Sequence, residues 1–345
     1  MEQYLKISQN IQKQILSLLV ISIVVVIAGC TTTSVTTPTG QTSLPAPTKV
    51  SVALDWVPWS EHVGVFIAKE KGYFAEEGVD AELRIPPDPS TILQTVAAGR
   101  DDFGINSQHD LLVARDHDLP IVSITALIQH PVSAIITLKD SRIEEPKDLV
   151  GKKIGWTGVP QHEKMLDTIL KKQGKSLKDV EMINVGFDLI PALISKKVDA
   201  IAMGYWVYES IVIEKQGFSV NIMKVNEHGL PDFYELVFIT SEDKIKNDPE
   251  LVEKFVRAVK RGYEDAIKDP QGAVQLLKKV NPEVDVEVEK RSTELQISLW
   301  KSDKGFGWQD EKSWSNFAQW MKDNDLISKD LDVRKAFDNS FVENA

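Results

Sequence analysis

Hydrophobic and polar positions divide the chain into three stretches. Residues 15 to 28 (ILSLLVISIVVVIA) form an unbroken uncharged apolar run, preceded by Lys6 and Lys13 and closed by Gly29-Cys30. The run has 14 residues, whereas a membrane-spanning helix needs about 20. Residues 1–29 therefore read as a secretory signal. Residues 31 to 47 (TTTSVTTPTGQTSLPAP) contain 12 Thr, Ser or Pro among 17 positions and no charge, a composition that cannot bury apolar surface and predicts a disordered tether over residues 30–48.

From Lys49 onward short apolar segments alternate with amphipathic ones. KVSVAL is strand-like, with Val50, Val52 and Leu54 on one face; a helix follows over 62–71, stopped by Gly72, then strand DAELRI and a helix over 91–98 stopped by Gly99. DFGI, a helix over 110–117 and PIVSITALI complete a first group. After the turn-rich RIEEPKDLVGKKIGW come strand KIGW, helix 161–173, strand VEMINV, helix 189–195, strand DAIAMG, helix 206–216 and strand SVNIMKV. ELVFIT is the last long strand, and the pattern beyond it is helical. Strands alternating with helices predict an α/β fold with mainly parallel sheets. TVAAGRDDFGIN (95–106) and ALISKKVDAIAM (192–203) each run from a helix end through a turn and an aspartate into a buried strand, so comparable strand ends should face a common cleft.

Charge narrows the function. The chain has 345 residues and a net charge of -11; removing residues 1–29, with Lys6 and Lys13 against Glu2, takes this to -12. An acidic chain without a basic tract argues against nucleic acid as a partner. The roughly 300 residues of the body suggest two lobes. The one cysteine, Cys30, closes Ile27-Ala28-Gly29-Cys30, which resembles a bacterial lipobox with isoleucine in place of the usual leucine. Acylation there would hold an exported domain at the outer face of the membrane, and no internal disulfide can form.

Ligands of open α/β sheets bind outside the carboxyl ends of the strands. The predicted strand exits carry Asp55-Trp56, Pro86-Pro87-Asp88, Asn106-Ser107-Gln108, Gln129, Trp156-Thr157, Phe187-Asp188 and Tyr205-Trp206, a set rich in rings and hydrogen-bonding groups and poor in Lys and Arg. Glu209 lies four residues after Tyr205 at a helix start, on the same face; its carboxylate can accept from an exocyclic amine, or simply favour the helix N-terminus. Pro86-Pro87-Asp88-Pro89-Ser90-Thr91 reads as a rigid loop entering a helix, with Ser90 or Thr91 first as its cap and cleft contact secondary. Trp59 is the weakest candidate among the strand-exit tryptophans, and Trp300, Trp308, Trp314 and Trp320 fit core packing in the helical tail. Histidines 109, 117, 130, 162 and 228 lack metal-ligand spacing; His162-Glu163 begins like a zinc-protease motif, but Leu166 stands where the second histidine is required. Neither a GxSxG elbow nor a phosphate-binding glycine loop is present, and no cofactor is expected.

Together, ALDWVPxxxHxGxFxAKEKGYFxEEGVD, VGFDLIPALIS, DAIAMGYW and YELVFIT resemble the substrate-binding proteins of ABC importers for the thiamine-precursor pyrimidine. The resemblance covers about residues 49–300 and extends to a wider family with a fungal pyrimidine synthase and with binders of riboflavin, nitrate and alkanesulfonates. It implies a two-lobed periplasmic-binding fold, with lobe 1 from residues 49–137 and 240–345 and lobe 2 from 138–239, closing around one small molecule. It also implies ABC permease and ATPase partners, a monomer, and a heteroaromatic ligand stacked on Trp56 with its amino group at Glu209. His62, which the motif contains, and Tyr234, which opens YELVFIT, join the candidate ligand contacts. The fungal synthases use a cysteine-rich iron motif that a chain with one cysteine lacks, so a binding role is expected rather than an enzyme. Trp59, Ser60 and Glu61 replace the asparagine and threonine usual after the proline in the pyrimidine binders, which leaves riboflavin or another ring system open.

Overall fold

The computed structural model describes residues 46–345. The expected signal, Cys30 and nearly all of the tether lie outside the described residues. Among the described residues no helix is long and apolar enough to cross a membrane.

The first lobe is laid down by β1 (Thr48–Ala53), α1 (Val63–Glu70), α2 (Tyr73–Glu76), β2 (Val79–Arg84), α3 (Ile92–Ala97), β3 (Phe103–Asn106), α4 (Gln108–Asp116) and β4 (Ile121–Ile128). The second comprises β5 (Ser133–Leu138), β6 (Lys153–Trp156), α5 (Pro160–Lys172), β7 (Glu181–Asn184), α6 (Leu189–Ile194), β8 (Ala200–Tyr205), α7 (Glu209–Lys215) and β9 (Val220–Lys224). The chain then returns through β10 (Leu236–Ser241) to α8 (Glu242–Asn247), α9 (Pro249–Lys268), α10 (Pro270–Val280), α11 (Val286–Gln296), a short hairpin of β11 (Lys301–Ser302) and β12 (Gly305–Phe306), α12 (Glu311–Asp323) and α13 (Ser340–Glu343). This is the α/β alternation with a helical C-terminal part that the sequence pattern predicts.

Each lobe holds a five-stranded sheet, ordered β2-β1-β3-β10-β4 and β7-β6-β8-β5-β9. Both are mixed, each with two parallel and two antiparallel pairings. β1 runs parallel to β2 and β3, and β6 to β7 and β8, while β10 and β5 are antiparallel to both of their neighbours. The antiparallel strand is in each case the one that arrives from the other lobe.

This corrects the expected lobe boundaries. SAIITL (133–138), given no element in the sequence pattern and lying almost wholly in the expected lobe 1, is β5 of the second sheet, so the first crossing lies at 129–132 rather than at 137/138. The return crossing ends before Leu236, ahead of the expected 239/240 boundary. Glu235 ties the two crossings together: its Oε2 accepts from the backbone N–H groups of Val132 (2.8 Å) and Ser133 (3.2 Å).

The packing that positions the site is that of α1 against α9. Gly64 faces the ring of Tyr263, and Gly262 faces the backbone carbonyl of Gly64 so closely that a Cβ at either position would overlap its neighbour. Such close approach is available only to glycine. It fixes the start of α1, where the turn after β1 ends. Phe255 on α9 stacks on Phe103 of β3, with ring centroids 3.8 Å apart, so the same helix anchors the centre of the sheet.

Candidate functional site

The chain leaves β1 through Asp55 and Trp56 and makes a single 3-10 turn at Ser60–His62 before α1. Every residue of that turn is buried, and Ser60 and Glu61 are hydrogen-bonded to helices distant in sequence. Ser60 donates its N–H to Glu289 Oε2 (2.8 Å) and its hydroxyl to Ser292 Oγ (2.7 Å) on α11. Tyr263 on α9 donates its hydroxyl to the carbonyl of Glu61 (2.6 Å). The backbone N–H of Trp59 points at His62 Nδ1 (3.4 Å), which leaves Nε2 as the protonated ring nitrogen donating to Asp55 Oδ1 (2.9 Å). The indole N–H of Trp59 donates to Glu61 Oε1 (2.6 Å).

Glu61 is 1% exposed, and its Oε2 has no hydrogen-bond partner among the described residues. Burial drives its pKa well above the ordinary carboxylate value, and the charge of Asp55 drives it further. Donor atoms of Asp55, Glu61 and His62 lie within 4.8 Å of one another, a spacing a metal ion could use. Because the Trp59 N–H occupies Nδ1, His62 presents a proton, not a lone pair, to that cluster, so these residues do not fit a metal as they stand.

The second lobe supplies the facing wall. Tyr205 ends β8, and Tyr208 and Glu209 open α7. Trp59 reaches across to both rings, near-parallel to Tyr205 (centroids 6.3 Å) and edge-on to Tyr208 (5.1 Å). Glu209 Oε2 accepts from the Tyr205 N–H (2.8 Å). Burial raises the Glu209 pKa to about 7, with the backbone N–H groups of Glu209 and Tyr205 opposing the rise. At the rim Trp56 meets Phe187 from the other lobe, centroids 5.4 Å apart; the two are 44% and 81% exposed. These groups, with Asp55, Glu61, Thr157, His162 and Met203, enclose a cavity of about 350 Å³.

A second, more polar cavity of about 560 Å³ shares Asp55, His162 and Tyr205 with the first and extends between α3 and α4. Asn106, Ser107, His109, Asp110, His117 and Glu235 line it. Burial works against the charged form of His109, but the neighbouring Asp110 carboxylate outweighs it and raises the pKa. Burial pushes His162 down to about 4, so it is neutral at physiological pH. Neither cavity has a Lys or Arg in its lining. A nitrate or sulfonate would meet carboxylates here without a fixed cation, whereas a neutral or cationic ring meets acceptors and π-faces.

Of the candidates read from the sequence, Asp55, Trp56, Tyr205 and Glu209 line the smaller cavity, and Asn106 and Ser107 line the larger. The others lie elsewhere. His62 is fully buried behind Asp55 and positions that carboxylate rather than reaching the cleft. Asp88 is an exposed cap that accepts from the Ser90 N–H (3.0 Å), while Pro89 and Ser90 line the larger cavity. Gln108 is buried and accepts from the Tyr234 N–H (2.7 Å); the Tyr234 hydroxyl accepts from the Asp310 N–H (2.5 Å), so both belong to the lobe-1 interior. The backbone N–H of Gln129 donates to the Leu299 carbonyl (2.7 Å), which ties it to the C-terminal segment. Trp156 pairs with Asn184 inside the second sheet, and Thr157 takes the lining position expected of it. Asp188 is exposed at the start of α6 between two lining residues, Phe187 and Leu189. Trp206 turns away toward Lys224, whose Nζ lies 3.9 Å from the ring centroid.

Sequence reasoning missed Glu61 and Tyr208, and it ranked Trp59 last. The clue for Glu61 lay in the departure from the family pattern at 59–61, which replaces small polar residues by an indole N–H donor and a carboxylate two residues apart. His109 on α4 and His117 just past its end both line the larger cavity.

Two lobes joined by two crossings, with a lined cleft between them, make up the fold of the periplasmic binding proteins. The periplasmic aliphatic sulphonate binding protein SsuA of Escherichia coli superposes with a TM-score of 0.69 at 14% identity, covering 84% of this chain and 92% of that one. In sequence the chain is 31% identical over 293 residues to the formylaminopyrimidine-binding protein of Halalkalibacterium halodurans, covering 84% of this chain and 89% of the relative. It is 28% identical over 343 residues to the riboflavin-binding protein RibY of Chloroflexus aurantiacus, covering 93% and 96%. The NMT1/THI5-like family model matches residues 59–273, and the chain belongs to that family.

Proposed function

We propose that the protein is the solute-binding component of an ABC importer, lipid-anchored through Cys30 outside the cell membrane, and that it captures a small aminopyrimidine of the thiamine-precursor type by closure of its lobes. The observation that carries this reading is the 350 Å³ cavity walled by aromatic rings and by the carboxyl groups of Asp55, Glu61 and Glu209, with no Lys or Arg. A single six-membered ring with amino substituents suits it: the rings stack on its faces and the carboxyl oxygens accept from its N–H groups. The similarity to a protein named for formylaminopyrimidine binding supports the same ligand class. Contacts come from both lobes, so ligand binding favours the closed state over an open one.

Riboflavin is the competing reading, because the two cavities share Asp55, His162 and Tyr205 in their walls and lie side by side, as a larger ring with a polar chain would need. Catalysis of the fungal-synthase kind has less support: the single cysteine, Cys30, precedes the folded body. A melting assay with 4-amino-5-hydroxymethyl-2-methylpyrimidine, riboflavin, taurine and nitrate tests the assignment. A ligand at 100 times its Kd should stabilise by about 2.7 kcal/mol. Stabilisation by the aminopyrimidine supports the reading; a response to taurine or nitrate alone overturns it.

A further inference from the structure

Glu61 has one oxygen fixed and one oxygen open. Oε1 is held by the indole N–H of Trp59 at 2.6 Å, and Oε2 is buried without a partner although the residue lines the smaller cavity. The ionisable groups that face it are Asp55, His62, Glu235, Tyr205 and Tyr263. Lys and Arg are absent from that set, and a carboxylate next to Asp55 in a buried site is costly. The protonated form relieves the repulsion. Since the Trp59 N–H occupies Oε1, the proton belongs on Oε2.

We propose that Glu61 is the specificity-determining residue of the cleft, a neutral carboxyl that reads the amidine edge of a heteroaromatic ring: Oε2–H donates to a ring nitrogen while the second lone pair of Oε1 accepts from the adjacent exocyclic amine. The proposal rests on the aminopyrimidine reading and adds to it a polarity that Trp59 sets. A 4-oxo ring presents the reverse edge, an N–H where the acid needs an acceptor and a carbonyl where it needs a donor. Buried sites built to pair with a polar edge reject its reverse strongly, because both partners are left unsatisfied.

The test is isothermal titration of the full chain with two probes, 4-amino-5-hydroxymethyl-2-methylpyrimidine and its 4-oxo counterpart. The wild type should prefer the amino probe by about tenfold or more. Glu61→Gln keeps the pattern, since Trp59 holds the amide oxygen and the NH₂ donates from the Oε2 position; its amino-probe affinity and its preference should stay within about threefold of wild type. Glu61→Leu removes the edge contact, and its preference should fall to within about threefold of unity. Because each preference is a ratio measured on one folded variant, loss of stability alone does not produce it. A Glu61→Leu protein that keeps the wild-type preference, or a Glu61→Gln protein as weakened as Glu61→Leu, overturns the proposal. A wild type that binds neither probe overturns the aminopyrimidine reading itself, and this proposal with it.

Discussion

The two lobes share one strand order, with the returning strand antiparallel and second from the edge in each, yet the equivalent strand exits deliver different chemistry. In lobe 1 the exit of β1 is a rigid, buried turn in which Asp55, Trp59, Glu61 and His62 hold one another. The corresponding exit of β6 in lobe 2 gives only Thr157, Val159 and His162. The second lobe's main contribution comes instead from the exit of β8, where Tyr205, Tyr208 and Glu209 gather, while the matching exit of β3 supplies Asn106 and Ser107 to the larger cavity. The scaffold repeats and the functional groups do not. Glu61 from the first lobe and Glu209 from the second both line the smaller cavity, and the two differ in kind. Glu209 is satisfied by backbone N–H groups, whereas Glu61 faces another carboxylate and keeps an oxygen free.

The largest expected effect in this comparison is on Trp59, which bridges the lobes. Trp59→Ala removes the contacts with Tyr205 and Tyr208 and the hydrogen bond to Glu61, and should destabilise the protein by about 3–5 kcal/mol, the usual cost of emptying a buried tryptophan site. Chemical denaturation measures it; a loss below about 1 kcal/mol would show that the lobes do not depend on that ring.

Glu209→Gln comes next and has two readouts. At pH 8 the wild-type carboxyl is ionised, so exchanging an acceptor-only group for an amide should weaken the aminopyrimidine by roughly 1.5–3 kcal/mol. The unliganded protein gives the second. A carboxyl raised to about 7 holds its proton more tightly folded than unfolded, where it titrates near 4.5. Its contribution to stability is complete below about 4.5 and is lost as pH rises through about 7. Glu289, raised to about 7 by burial, acts in the same direction. Melting temperatures should therefore fall between those limits, less steeply in Glu209→Gln; equal slopes would show that Glu209 titrates normally.

Trp56→Ala should give the smallest effect. The ring is 44% exposed, so stability should change by less than about 0.5 kcal/mol. Ligand binding should weaken by about 0.5–1.5 kcal/mol for lost stacking, plus the area the ring covers. Unchanged affinity on titration would make Trp56 a rim residue and place the stacking deeper, on Tyr205.

Much of the fold is legible in the sequence because helix stops at Gly72, Gly99 and Gly174 and the apolar alternation report local physics. β5 is as fully buried as β4 and β10, which read as strands, but its place in the second sheet follows only from long-range pairing with β8 and β9. The site was legible in its strand exits but not in its side-chain directions. Asp188 and Trp156 are each one residue away from the position that lines the cleft, Phe187 and Thr157, since successive residues leaving a strand point to opposite sides. Gln108, Gln129 and Tyr234 satisfy backbone groups of distant segments, and no local pattern reports such partners.

The proposed binding mode places the ring in one small cavity with walls from both lobes. A crystal structure of the protein grown with 4-amino-5-hydroxymethyl-2-methylpyrimidine tests it directly. The predicted result is a ring in the space lined by Asp55, Glu61, Tyr205, Tyr208 and Glu209, its exocyclic amine within hydrogen-bond distance of a carboxyl oxygen. A ring bound between α3 and α4, in the larger cavity beside His109 and His117, or one touching a single lobe only, would contradict it.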